Sequence, residues 1–555
     1  MRFVISPVLA VLFIIALSAL SVCEASGFWR LETTKTGWRF VPPSGLDGTV
    51  CKYVAVSAID PTSYRGPTMI GDGLKYQDAS AWSSAQNDRL QAWGFNAAGM
   101  YSYFYSAHFP SGGVPFAPTD MSSGWLMRDD MEWHVKNVYR NPNPGGAQVC
   151  SADDYFGTQP DVYDPRLEKS YVEALNKYSW LKNGSASSAI VWFPEEADDM
   201  FGLDQEGSHT DLGYMVASQT PIYVDDQQSY KYRPGEMQLY SKAALRDFLR
   251  NRYGTINALN AAWELKSSEH CDSSNPAKVC DDGYTTWDTS NPGGWSSITD
   301  NQPRYESWGR GTGFLDENGK RLLPLKDHNC DHRSTVAWSR TPKIEADLHD
   351  FVKEFAKHYA EALSTAVNEA ISDHPPLFLP LYNPPSYVSS AVSPYVAGFW
   401  IQNLYPGQVQ RILLNDGNKP VIVVDYALAN ADSPLKESKH PPDVNFWPNQ
   451  AARGNGMVAG WQKELGLKNA DPRCPGGCYA VVGVEHWQLY DNSNEGNAFG
   501  LVTNTHDNPY DGSANMANGE SSNFGDALAP ITSFLKGHSS WMDSNGMQRR
   551  GICDP

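Results

Sequence analysis

Short apolar runs recur along this 555-residue chain with helix-patterned stretches between them. Tyr53–Ile59, Ala189–Phe193, Leu377–Tyr382, Val396–Tyr405, Val421–Tyr426 and Ala480–Tyr490 have the length and the β-branched or aromatic content of buried strands. Another strand is expected from Phe95, because Asn87–Trp93 reads as the end of a helix and Gly94 as its stop. Further helices are expected over Leu167–Leu181 and Lys242–Trp263, and over a long stretch ending near Ser372. In the second, Leu245, Phe248, Leu249 and Tyr253 share one face, Gly254 ends the helix and Thr255 can cap the next. In the third, Phe351, Phe355, Tyr359, Leu363 and Val367 stand four apart. Strands that alternate with helices form parallel sheets, and about eight of them close into a barrel. The expected fold is therefore α/β, a TIM-type (β/α)8 barrel with long, disulfide-pinned loop insertions.

The ends of the chain read differently. Arg2, the apolar run Val8–Val22 and Cys23-Glu-Ala25 have the layout of a secretory signal peptide, residues 1–25. The apolar run is short for a membrane span, no later stretch is long enough for one, and Val22 is bulky for lipid anchoring at Cys23. A secreted, periplasmic or cell-surface protein is expected. Residues 26–49 form a lead-in, 50–540 the barrel with an insertion at about 264–341, and 541–555 a C-terminal strap. Removing Cys23 leaves eight cysteines, an even number that implies disulfides in an exported chain. Cys271 with Cys280, and Cys474 with Cys478, are plausible local staples; the other four can pair in several ways. The insertion carries Trp287, Trp295, Trp308 and Trp338, which a flexible linker would not.

A formal net charge of -19 argues against nucleic-acid partners and against an anionic membrane surface. No Gly-x-Ser-x-Gly elbow, His-Glu-x-x-His helix or phosphate-binding glycine loop is present, and no cofactor or metal is expected. Asp316-Glu-Asn-Gly319 and Asp491-Asn-Ser-Asn-Glu-Gly496 look faintly like calcium loops but lack the full ligand series. What remains is carboxylate chemistry. The run Ala189-Ile-Val-Trp-Phe193 meets Pro194, which cannot donate to a sheet, and then the acids Glu195 and Glu196. A lone pair of glutamates is more often a solvated loop; at the C-terminal end of a buried parallel strand it stands where barrel enzymes keep their chemistry.

Several segments together resemble the clan-A glycoside hydrolases, in particular their β-galactosidase and β-agarase branches. They are Arg89-Leu-Gln-Ala-Trp-Gly-Phe-Asn96, Pro160-Asp-Val-Tyr-Asp-Pro165, Phe248-Leu-Arg-Asn-Arg-Tyr-Gly-Thr255 and Ala258-Leu-Asn-Ala-Ala-Trp263. Lys419-Pro-Val-Ile-Val-Val-Asp425 and Gly483-Val-Glu-His-Trp487 complete the set. The resemblance implies a barrel with an acid/base glutamate ending the fourth strand, a nucleophile ending the seventh and a tryptophan ending the eighth. Mapped here, these fall on Glu196, Asp425 and Trp487. Glu485 shares strand parity with Trp487 and is the reserve nucleophile. Glu195, Asn403, Tyr405, His486 and Tyr101 are the candidate substrate contacts beside Trp487. The expected activity is retaining hydrolysis of a β-linked, galactose-containing oligo- or polysaccharide. Glu195 stands where asparagine is usual and Asp425 where glutamate is usual. Those two departures leave a second reading open, a carbohydrate-binding protein on a hydrolase scaffold.

Overall fold

The structure, a computed structural model, describes residues 27–34, 37–43, 49–50, 52–60, 69–102, 132–133, 159–160, 162–176, 189–193, 222–224, 230–232, 240–263, 287, 342–371, 373–380, 386–402, 419–428, 447, 449–469, 477–491, 499–503, 507, 509–510, 526–538, 541–542 and 548–550. Its centre is a six-stranded parallel sheet made of β1 (Tyr53–Val56), β2 (Ala97–Ala98), β3 (Phe378–Pro380), β4 (Gly398–Gln402), β5 (Val421–Tyr426) and β6 (Val481–His486). The spatial order is β3-β4-β5-β6-β1-β2. The last of these strands in the chain thus pairs with the first. Beyond β3 the segment 189–193 continues the series: the Trp192 N–H donates to Pro376 O and the Phe378 N–H to Trp192 O, both at 2.9 Å.

Alternation along these strands separates two cores. Val54, Val56, Val421, Val423, Val481 and Val484 face outward under a layer of helices. Tyr53, Ala55, Phe378, Trp400, Ile422 and Val424 face an enclosed interior cluster. Ala97, from one end of the series, and Phe193, from the other, join the same cluster. A sheet whose two ends contribute to one enclosed cluster is curled. Strands buried on both faces explain the near-continuous aliphatic runs of the sequence.

The covering helices are α1 (Ala79–Trp93), α2 (Leu167–Leu175), α3 (Tyr240–Tyr253), α4 (Ile256–Ala262), α5 (Pro342–Ala370), α6 (Ser386–Val392), α7 (Gln450–Leu465) and α8 (Leu528–His538). Their ends follow capping chemistry. Asp78, Thr255 and Asn449 each accept a main-chain N–H three residues on. Gly94 takes φ 90° at the end of α1, the left-handed turn that glycine adopts without strain. The spacing-four residues of α5, from Phe351 to Val367, are all buried. This helix ends at Ala370, two residues before the expected Ser372.

The termini meet. Arg30–Thr33 pairs antiparallel with Trp38–Val41, which pairs antiparallel with Thr49–Val50; Gln548–Arg550 adds parallel to that strand, and Trp541–Met542 pairs antiparallel with it. Lead-in and strap therefore share one five-stranded sheet. Phe40 drops from it into the interior cluster, its ring centroid 6.3 Å from Tyr53 and 6.4 Å from Phe378, at the N-terminal ends of β1 and β3. Of the insertion at 264–341, Trp287 alone is among the described residues, packed against the outer core. Cys478 is disulfide-bonded; the other cysteines lie outside the described residues. No helix among the described residues is long and apolar enough to cross a membrane.

Candidate active site

β6 carries a buried carboxylate, Glu485, near the C-terminal end of the sheet. Val484 faces outward and Glu485 pairs with inward-facing Ala55, so Gly483, Glu485 and Trp487 lie on the interior side. The Tyr53 ring occupies the space beside Gly483, where a Cβ would stand 2.7 Å from the ring and from the Tyr53 carbonyl oxygen. That lets the Tyr53 hydroxyl donate to Glu485 Oε1. The other oxygen, Oε2, accepts from Ser57 Oγ at 2.6 Å and from the Met100 N–H at 3.1 Å. Gly99 makes room for the carboxylate: a Cβ there would stand 2.7 Å from Oε2. The whole group is sealed from solvent. Burial pushes the Glu485 carboxyl above its usual range, against the pull of its donors Ser57, Tyr53 and Met100. Burial, and then the nearby Glu485 charge, raise Tyr53 well above an ordinary phenol.

Two strained turns surround this carboxylate. Ala58 has φ 51° and Tyr101 φ 56°, the left-handed region that residues other than glycine rarely occupy. The ends of the three strands are laced together there. Ser57 N–H donates to His486 O at 2.9 Å, Leu489 N–H to Ser57 O at 3.1 Å and Ala58 N–H to Met100 O at 2.8 Å. Half-buried Tyr101 meets half-buried Trp487 edge-on, with centroids 5.6 Å apart and planes at 83°. The peptide bond after Trp487 is cis.

The remaining sequence candidates divide into two groups. His486 is fully buried and turned outward, with Nδ1 3.0 Å from Tyr426 O and Nε2 3.0 Å from Phe499 O. Burial, then the Arg453 charge, lower its pKa to about 3. As a neutral ring it donates to one of those carbonyls. Asp425 lies in β5, where the pairing with β6 shifts register between Val423 and Tyr426; its side chain is outside the described residues. Glu195, Glu196, Asn403 and Tyr405 are outside them too; in sequence they follow Phe193 and Gln402, the last described residues of their strands. The sequence reading missed Tyr53, Ser57 and the Met100 amide. The signal for the first two was the alternation Tyr53, Ala55, Ser57 along β1, which puts both hydroxyls on the inner face.

The segments that carried the resemblance hold the scaffold. Arg89 pairs bidentately with buried Asp507, which also accepts from Lys75, Tyr76 and Tyr490. The Asn96 side chain accepts from Val54 N–H and donates to Lys52 O, extending the sheet by one polar rung. Tyr253 and Trp263 both donate to Asp347 of α5. Asp491 of the calcium-like run spends its two oxygens on Gly500 N–H and Tyr510 OH. Among the described residues no group of three or more His, Cys, Asp or Glu is placed to hold a metal ion.

No protein-family model matches the chain, and no curated protein matches it in sequence. In three dimensions it is similar to the solved structure of an exo-β-agarase, with a TM-score of 0.56 and 14% identity over 92% of this chain and 65% of that one. It is similar likewise to the agarase AgWH50C (0.56, 14%, 93% and 64%) and to PfGH50B (0.55, 14%, 93% and 66%). The chain thus spans just under two-thirds of those proteins' own lengths. At 14% identity the likeness is one of fold.

Proposed function

We propose that this chain is an exported glycoside hydrolase on a closed (β/α)8 barrel, cleaving a β-linked, galactose-containing oligo- or polysaccharide with retention. One observation carries the reading. The parallel order puts the ends of the 189–193 segment, β4, β5 and β6 at one end of the sheet, together with the half-buried Tyr101–Trp487 pair. The agarase activity of similarly folded proteins supports the sugar class. In this reading Glu196, protonated, gives its proton to the glycosidic oxygen while the Asp425 carboxylate attacks the anomeric carbon. Glu196 then takes a proton from the water that releases the sugar from Asp425. The register shift at β5 supports the second role, since a bulge re-aims the side chain at a strand end. Trp487 and Tyr101 offer the flat apolar faces on which sugar rings stack, with Glu195, Asn403 and Tyr405 as polar contacts.

The test is turnover of agarose- and galactan-derived oligosaccharides by the wild type, Glu196→Gln and Asp425→Asn, with product anomers followed by NMR. Each variant is expected to lose about 10²–10⁴-fold in kcat while still folding. Near-normal turnover by Asp425→Asn would remove it as the nucleophile. Retention of the sugars without cleavage by the wild type would replace the enzyme with the carbohydrate-binding protein.

A further inference from the structure

We infer that Glu485 is a positioning residue: its buried carboxylate clamps the turns after β1 and β2 to β6 and thereby builds the Tyr101–Trp487 platform on which the sugar stacks. The inference rests on the glycosidase reading for the identity of the ligand, but its geometry does not.

The residues that bond to Glu485 come from the two strands next to β6 in the sheet series, β1 and β2. Tyr53 starts β1, Ser57 follows its end, and Met100 follows the end of β2. Ser57 and Met100 each stand one residue before a left-handed residue, Ala58 and Tyr101 respectively. Strained backbone persists where its surroundings over-determine it. Here a single carboxylate oxygen takes one donor from each strained turn, and the turns bond to each other through Ala58 N–H and Met100 O. Tyr101 is the side chain that the second turn presents, and it meets Trp487, two residues beyond Glu485 and just past the end of β6. The platform is thus assembled from two loops whose common anchor is Glu485.

A nucleophile needs a carboxylate oxygen open to substrate. Glu485 is fully enclosed, both of its oxygens are engaged, and Gly99 stands closely against Oε2. Its surroundings are those of a tie and not of an attacking group, so the reserve role given to it from sequence parity is replaced by this one.

Glu485→Gln has nearly the same shape but carries an amide that cannot accept from all three donors. In the free protein, hydrogen exchange across residues 57–60 and 97–102 should quicken in this variant, while β4 and β5 keep wild-type protection. Affinity for oligosaccharide, measured by calorimetry, should fall about two- to tenfold, the worth of one aromatic contact, with a smaller change in kcat. Tyr53→Phe and Ser57→Ala, which leave the carboxylate in place, should shift affinity in the same direction by less. In a double-mutant cycle, Glu485→Gln should add little to the affinity loss of Trp487→Ala, because both remove the same platform. Loss of kcat with unchanged affinity would make Glu485 the nucleophile and overturn the inference. Unchanged exchange at both turns, or affinity losses that simply add, would overturn it as well. Quickened exchange in a protein whose wild type binds no sugar would instead sink the glycosidase reading and leave the clamp standing.

Discussion

Lys52 sits at the opposite end of β1 from the aromatic platform, buried, with Nζ donating to Val481 O at 2.5 Å and lying 5.2 Å from the centre of the Tyr479 ring. Among the described residues no carboxylate pairs with it, and burial lowers its pKa to about 7. A base whose folded pKa is depressed stabilises the protein above its unfolded value, near 10.5, and loses that contribution as pH falls through about 7. The protein should therefore gain stability between pH 7 and pH 10 relative to Lys52→Met, whose curve should be flatter. Parallel curves from chemical denaturation at several pH values would mean that the ammonium reaches water. Gly99 poses a steric problem of similar scale. A Cβ at this position would stand 2.7 Å from Glu485 Oε2, closer than real Cβ atoms come, and a tight 3.0 Å from Ser57 Oγ. Gly99→Ala should cost about 1–3 kcal/mol, as overpacking does, and should weaken sugar binding along with it. Wild-type binding by Gly99→Ala would show that the carboxylate can shift without moving the platform.

At the scale of elements, periodicity and caps carried most of the information. The face of α5, the Gly94 and Gly254 stops and the Thr255 cap are local patterns, and each lies where the sequence puts it. The words Tyr-Gly-Thr and Ala-Leu-Asn-Ala-Ala-Trp are not required by helix physics, and their reason lies about 90 residues away. Asp347 Oδ1 accepts from Arg252 at 2.6 Å and Lys343 at 2.8 Å; Oδ2 accepts from Trp263 Nε1 at 2.8 Å and from Tyr253 OH. One buried carboxylate thus docks α3 and α4 on α5. Burial alone would raise its pKa, but the bonds from Lys343, Tyr253, Trp263 and Arg252 win and hold it below the usual carboxylate value. A depressed acid stabilises above its unfolded pKa and loses that contribution as pH falls through the folded one. Acid unfolding of the wild type should therefore begin below about pH 4 in part through this group. Asp347→Ala, which leaves two cations behind, should cost about 2–4 kcal/mol; both cations are partly exposed, so the figure sits below that of a fully buried network. A loss under 1 kcal/mol in urea titration would show that α3 and α4 are held by their apolar faces alone.

For the whole molecule, the strands of the parallel sheet were legible because most are short apolar runs of buried-strand length, whereas the joining of the two ends was not. Thr49–Val50 and Gln548–Arg550 pair across about 500 residues, and strands that short carry no period that could announce a partner. The same limit hid the plug. In sequence Phe40 is one aromatic in a polar lead-in; in the fold it lies fully buried between Tyr53 and Phe378, closing the interior from the N-terminal ends of the strands. The platform stands at the other end of the same interior, above the Glu485 clamp. Phe40 therefore separates two questions, how the interior is kept closed and how the site is built. Phe40→Ala would leave a cavity against rigid strand starts that cannot collapse around it, at a cost of about 3–5 kcal/mol. Tyr53 touches both the plug and the clamp and so links the two ends of the interior. The Tyr53 backbone is fixed by its pairing with Gly483, however, and its hydroxyl by Glu485. The expected result is a large fall in denaturation midpoint with sugar affinity within about twofold of the wild type, a difference of under half a kcal/mol. An affinity loss as large as that of Glu485→Gln, at temperatures where Phe40→Ala is still folded, would show that plug and platform move together.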